Sequence, residues 1–153
     1  MLHQTDLVNH SSLAPVAKPQ LEAAGFKVDM QSMDWQTLVA RRTKKEPADK
    51  GGWHIFFTSS GALSIADPMS HFFLNASCEK SMFGWPCDAD IEKLRAAYAR
   101  ETDDAKRKDI AQQAQYRAME YPTYVQLGQF TVPTALRSNV SGMLTAPVEV
   151  KKM

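Results

Sequence analysis

The clearest periodicity lies at residues 26–33, where Phe26, Val28 and Met30 alternate with Lys27, Asp29 and Gln31. Successive side chains of a strand point to opposite faces, so this pattern predicts a half-buried β-strand. Ahead of it, residues 11–24 read as a helix. Ser11 or Ser12 can cap it, Pro15 falls in its first turn, and Gly25 stands where a helix C-terminus favours glycine. Pro19 works against that helix, because an interior proline removes a hydrogen bond. Residues 2–5 read as the end of a strand with almost no lead-in, and so abrupt a Met1 suggests a truncated chain. Asp34 is placed to cap a short helix from Trp35 to about Arg42. Strand, helix, strand and helix in this order make a βαβ unit.

Lys44 to Gly52 is polar and carries Pro47 and two glycines, the pattern of a loop. The run Trp53-His-Ile-Phe-Phe-Thr58 is nearly continuous in apolar character and predicts a strand covered on both faces, with His54 as a packing or hydrogen-bonding residue. Turn signals at Ser59-Ser60-Gly61, Asp67-Pro68 and Gly84-Trp85-Pro86 leave residues 59–87 irregular. Two long helices follow. Ile91, Leu94 and Tyr98 share a face of the first, capped by Asp88 or Asp90; Ile110, Ala114 and Ala118 share a face of the second, capped by Thr102 or Asp103 and stopped at Tyr121-Pro122. Thr123 to Thr131 predicts a further strand, and Gly142 and Pro147 break the tail. The fold class expected is α/β, a mixed β-sheet flanked by helices with the 88–121 helical pair on one side. Its expected core is Phe26, Val28, Met30, Ile55, Phe57, Leu94, Tyr98, Ile110 and Ala114.

With 153 residues, 44% of them hydrophobic and 23% charged, the chain has the composition of a globular domain. Its net charge of +1 argues against a dedicated binder of nucleic acid or anionic membrane. No apolar run approaches the ~20 residues that span a bilayer, and residues 1–20 lack the basic and apolar regions of a signal peptide.

Candidate chemistry is sparse. His3, His10, His54 and His71 include no pair at helical metal-ligand spacing. No nucleophile elbow, phosphate loop or dinucleotide glycine pattern occurs. Ser59-Ser60-Gly61 reads first as a turn, since a nucleophilic serine needs a partnered base. The cluster Arg41-Arg42-Thr43-Lys44-Lys45 reads as a solvated helix end whose cations suit the dipole. Asn9, Asn75 and Asn139 each begin an Asn-x-Ser triplet, a loose pattern of little weight. Cys78 and Cys87 flank a loop containing Gly84 and Pro86, which permits a disulfide, while two free thiols remain the alternative. No Cys-x-x-Cys or zinc-finger spacing is present. Aromatic residues are dense between Trp35 and Trp85, and those near loops that follow strands are placed to line a ligand cleft.

The ordered motifs Gly25-Phe-Lys-Val-Asp29, Asp34-Trp35-Gln-Thr-Leu38, Gly51-Gly52-Trp53-His-Ile55, Asp67-Pro68, Gly84-Trp85-Pro86, Asp103-Asp-Ala-Lys-Arg107, Tyr121-Pro-Thr-Tyr-Val-Gln-Leu-Gly128 and Val140-Ser-Gly142 run through nearly the whole chain. Together they resemble the distal part of the extracellular solute-binding proteins, family 5, of ABC importers. The resemblance implies a two-lobed periplasmic receptor that closes around a solute, a peptide or similar small molecule, without catalysis or cofactor. Its partners would be that solute and an inner-membrane permease, with no nucleic acid. Residues 1–135 would form part of the second lobe, and residues 136–153 would return toward the first. An apolar patch would then be exposed near residues 125–150. A periplasmic setting also favours the Cys78–Cys87 disulfide. Ligand-contact residues carried over on this basis are Gln4, Asp6, Ser59, Ser60 and Ser64. Two departures bear on the solute. The stretch Gln4-Thr5-Asp6 lacks the arginine that grips a peptide carboxylate in dipeptide-binding relatives. Neither Ala62 nor Ser64 supplies the aspartate that holds the peptide amino group. A less charged solute, or a peptide held by its backbone, fits this pattern. The competing class is a free-standing interaction module or an enzyme of unknown reaction, because fold does not fix function.

Overall fold

The computed structural model describes residues 1–142. The chain divides into two compact units, Met1–Ser59 and Ser60–Met153. In the first, β1 (Leu2–Gln4) leads through α1 (Leu13–Ala23) to β2 (Gln31–Met33) and then α2 (Trp35–Arg41). The two strands are parallel, with Leu2 opposite Gln31 and Gln4 opposite Met33. Their crossover is the expected βαβ unit. The ends of α1 show why it stops where it does. Gly25 adopts φ 91°, its N–H reaches the Glu22 carbonyl, and the N–H of Phe26 reaches Leu21. This pair of reversed bonds is the Schellman arrangement, and it needs a left-handed residue at Gly25. Asp34 caps α2 by accepting from the N–H of Thr37 at 2.9 Å.

Leu2, Ala14 and Leu38 are fully buried at the centre of this unit, with Phe57 nearly so. At the end of α2, Arg41 donates to the carbonyls of Gly51 and Gly52. At Gly52 a Cβ would fall 1.7 Å from the Glu46 carbonyl oxygen, so no side chain fits between these backbone segments.

In the second unit, α3 (Ala89–Arg100) and α4 (Asp104–Glu120) form a helical hairpin. Asp88 and Asp103 are the caps, rather than Asp90 and Thr102. Ahead of α3 lie short 3-10 turns and an antiparallel bridge between Ser77 and Cys87. Buried Leu74, Ala76, Ile91 and Ala114 make its core.

Three strands differ from expectation. Residues 26–30 are irregular and Phe26 is 63% exposed, because the ladder with β1 starts only at Gln31. Alternation says which side chains share a face, but a neighbouring ladder must exist to bury that face. Trp53–Thr58 is not a strand and His54 is exposed, although the segment follows β1: the Leu2 N–H donates to the Ile55 carbonyl at 2.8 Å. Among the described residues Thr123–Thr131 has no strand partner, and Val125, Leu127 and Phe130 are exposed. The sheet is therefore two parallel strands among the described residues, smaller than the mixed sheet expected. Of the expected core, Phe57 and Ala114 are buried; Val28, Met30, Ile55, Leu94, Tyr98 and Ile110 are half-buried. Residues 136–142 of the expected return segment are exposed without regular structure, while its remainder, with Pro147, lies outside the described residues.

Candidate functional site

In open parallel sheets, ligands bind beyond the carboxyl ends of the strands. In the first unit that edge is formed by the residues after β1, the start of α2, and the end of the Trp53–Thr58 segment. Gln4 lies behind it. Its side chain is fully buried, and Nε2 donates to the Phe57 carbonyl at 2.9 Å. Gln4 thus ties the third segment to β1 and presents no surface to a solute. Asp6 is exposed on the edge, and its Oδ1 accepts from the backbone N–H of Trp35 at 2.8 Å. It joins the end of β1 to the first turn of α2, where a carboxylate also meets the positive end of the helix.

Ser59 is exposed, and its Oγ lies 2.9 Å from Nε2 of His10. The His10 ring stacks on Trp35, with centroids 6.5 Å apart and planes inclined by 12°. Burial holds the His10 imidazole below its ordinary pKa, favouring the neutral ring. The Arg42 guanidinium stands over Trp35 at 5.2 Å and near Phe56 at 5.9 Å. Ser60 and Ser64 belong to the second unit, Ser64 within a 3-10 turn spanning Ala62–Ile65. The structure therefore brings Asp6 and Ser59 to one edge, adds His10 and Trp35 to it, and takes Gln4 off it. His10 stands out in the sequence only once the loop after β1 is recognised as leaving a carboxyl end.

The second unit carries its own polar constructions. Cys78 and Cys87 form a disulfide, and the loop between them closes with Cys78 and Trp85 in the left-handed region, at φ 57° and 48°. Next to it, buried Asp88 accepts from Asp90 and Ile91 N–H groups and from Arg117, which reaches Oδ2 at 2.7 Å. Arg117 holds the Asp88 carboxyl below the usual range. A cavity of about 590 Å³ lies against α4, with Asp67, His71, Tyr124, Ala114 and Met119 among its walls. His71 Nε2 meets the Tyr124 hydroxyl at 3.2 Å. No group of three metal-ligating side chains occurs among the described residues, and none of their helices is long and apolar enough to cross a membrane.

Over 146 residues, 95% of its length, the chain is 32% identical to the probable peptide ABC transporter periplasmic-binding protein y4tO of Sinorhizobium fredii. Over 145 residues, 92% of its length, it is 26% identical to di/tripeptide-binding protein 4 of Pseudomonas aeruginosa. The chain is homologous to periplasmic-binding proteins of peptide ABC transporters. No protein-family model matches it. It spans only 28% and 26% of the length of these two relatives. The resemblance carried by the ordered motifs is thus upheld across nearly the whole chain, and helices with a small parallel sheet are compatible with part of such a protein.

Proposed function

We propose that this chain is part of a receptor that captures a peptide or similar small molecule for an ABC importer. The observation that carries this reading is likeness to two peptide-binding relatives over 95% and 92% of the chain. The receptor would work in the periplasm, deliver its solute to an inner-membrane permease, and perform no chemistry on it. Solute contacts are assigned to Asp6 and Ser59 at the strand edge and to Ser60 and Ser64 in the chain that follows. Residues 1–135 would contribute to the second of two lobes, and residues 136–153 would run toward the first. The sheet edge offers hydrogen-bonding groups and aromatic faces, which suit a peptide.

The test is mass spectrometry of the solute retained by the longest natural polypeptide that contains these residues, purified from its own cells. A retained peptide supports the reading. A protein recovered with no peptide, and showing no peptide binding in calorimetry, refutes it. If both lobes clasp the solute, the 153-residue chain alone should bind at least about a hundredfold more weakly, since each ~1.4 kcal/mol of lost contact costs a factor of ten.

A further inference from the structure

We propose that His10 and Ser59 act as one hydrogen-bonding pair that takes an uncharged polar group of the solute, an amide or a blocked terminus. The proposal rests on the capture reading above and specifies what part of a peptide this edge would hold. Nε2 of His10 and Oγ of Ser59 meet at 2.9 Å although 49 positions separate them. Each residue follows a segment that ends at the same edge, His10 after β1 and Ser59 after Trp53–Thr58, where an open sheet offers its ligand site. Ser59 is exposed and His10 half-buried, so the hydroxyl is the part of the pair a solute can reach.

A hydroxyl both donates and accepts, and the imidazole nitrogen uses one of these functions, leaving the other for the solute. Stacking on Trp35 orients the ring. Of the charged groups nearby, Asp6 has one oxygen engaged by the Trp35 N–H, and the Arg42 guanidinium lies over Trp35 and near Phe56. The pair itself is neutral, in keeping with the half-buried imidazole, whose burial lowers its pKa. A carboxylate would call for a cation, whereas an amide is matched by a hydroxyl already hydrogen-bonded to a neighbouring ring.

The experiment titrates the isotope-labelled 153-residue chain with millimolar N-acetyl-alanyl-alanine amide, which has no charged terminus, and with zwitterionic alanyl-alanine, followed by NMR. The blocked peptide is expected to move the His10 ring and Ser59 amide signals and to bind at least as tightly as the zwitterion. Ser59→Ala should weaken it about fivefold, the worth of one hydrogen bond. His10→Ala should do the same, the double variant should lose little more, and His10→Gln should recover part of the loss. Should His10→Ala disturb the fold, Ser59→Ala decides alone, because that side chain is exposed. Binding of alanyl-alanine about tenfold tighter than the blocked peptide overturns the neutral pair and turns attention to Arg42 as a carboxylate holder. Blocked-peptide binding unchanged by Ser59→Ala overturns the pair but leaves capture standing. If neither peptide moves any signal of residues 1–59, the pair is overturned, while the capture reading is decided separately by the solute retained on the longer polypeptide.

Discussion

The unit at Met1–Ser59 is joined mostly by main-chain hydrogen bonds and neutral side chains; the unit that begins at Ser60 is joined by buried charge and a covalent bridge. In the first, β1 meets β2, Gln4 reaches Phe57, and His3 reaches both Ser32 and Ser11. In the second, Arg117 clasps Asp88, Arg95 pairs with Glu92 while binding the Pro68 and Met69 carbonyls, and Cys78 is bonded to Cys87. A main-chain ladder is generic and can be extended by any strand or peptide that presents its own backbone. A buried charge pair accepts only the partner it was built with, and removing one member strands the other.

The sharpest way to break the contrast is Gly52→Ala. The added carbon would overlap the Glu46 backbone, and the expected cost is more than about 3 kcal/mol. Amide signals of residues 1–59 should collapse while those of α3 and α4 persist. Next in size is Asp88→Ala, which removes a helix cap and leaves Arg117 without its buried partner; a loss on the order of 3 kcal/mol in urea unfolding is expected, confined to the second unit. Replacing both cysteines by serine should cost that unit about 2–3 kcal/mol in the same measurement, if cross-linking acts through unfolded-chain entropy.

Acid should separate the units further. Asp88 and Asp67 in the second unit, and Asp34 in the first, have carboxyl pKa values lowered in the folded state. Hydrogen bonds lower them, from Arg117, Ser70 and Thr37 respectively. Each contributes stability that is present above the unfolded value of about 3.9 and is lost as pH falls through the folded value. Thermal unfolding followed from pH 7 downward should therefore show the steeper acid limb in the second unit, and Asp88→Asn should flatten it. The smallest effect belongs to Phe26→Lys. Its alternation with polar neighbours marks it as core, yet it is exposed, so the change in unfolding free energy should stay within about 0.5 kcal/mol.

What could be read from the residues alone divides by the range of the interactions involved. Asp34 and Gly25 announce helix ends, and Asp88 and Asp103 each stand in a pair of nearby cap candidates, because a cap acts on N–H and carbonyl groups within a few positions. Helix faces were equally plain: Ile91 and Ala114 are buried on the sides their spacing indicates. Residues 26–30, 53–58 and 123–131 have strand character, but a strand is completed by a partner, and nothing in those stretches names it. The site followed the same rule. Asp6 and Ser59 could be placed at an edge by likeness to a family, whereas burial of Gln4 and the meeting of His10 with Ser59 depend on contacts across roughly fifty positions.

From Thr123 to Leu136 the sequence holds no Asp, Glu, Lys or Arg, and Val125, Leu127, Phe130 and Val132 all face solvent. Thr123 and Tyr124 at its start are held by the Phe73 carbonyl and by His71. That uncharged, exposed ribbon is where two copies of this polypeptide are expected to associate on storage. Two ribbons that collide in a concentrated solution meet no charge to push them apart, and a net charge of +1 on the whole molecule offers little help at a distance. Turbidity should then grow with concentration and time at constant pH, and Leu127→Lys, at an exposed position, should slow it.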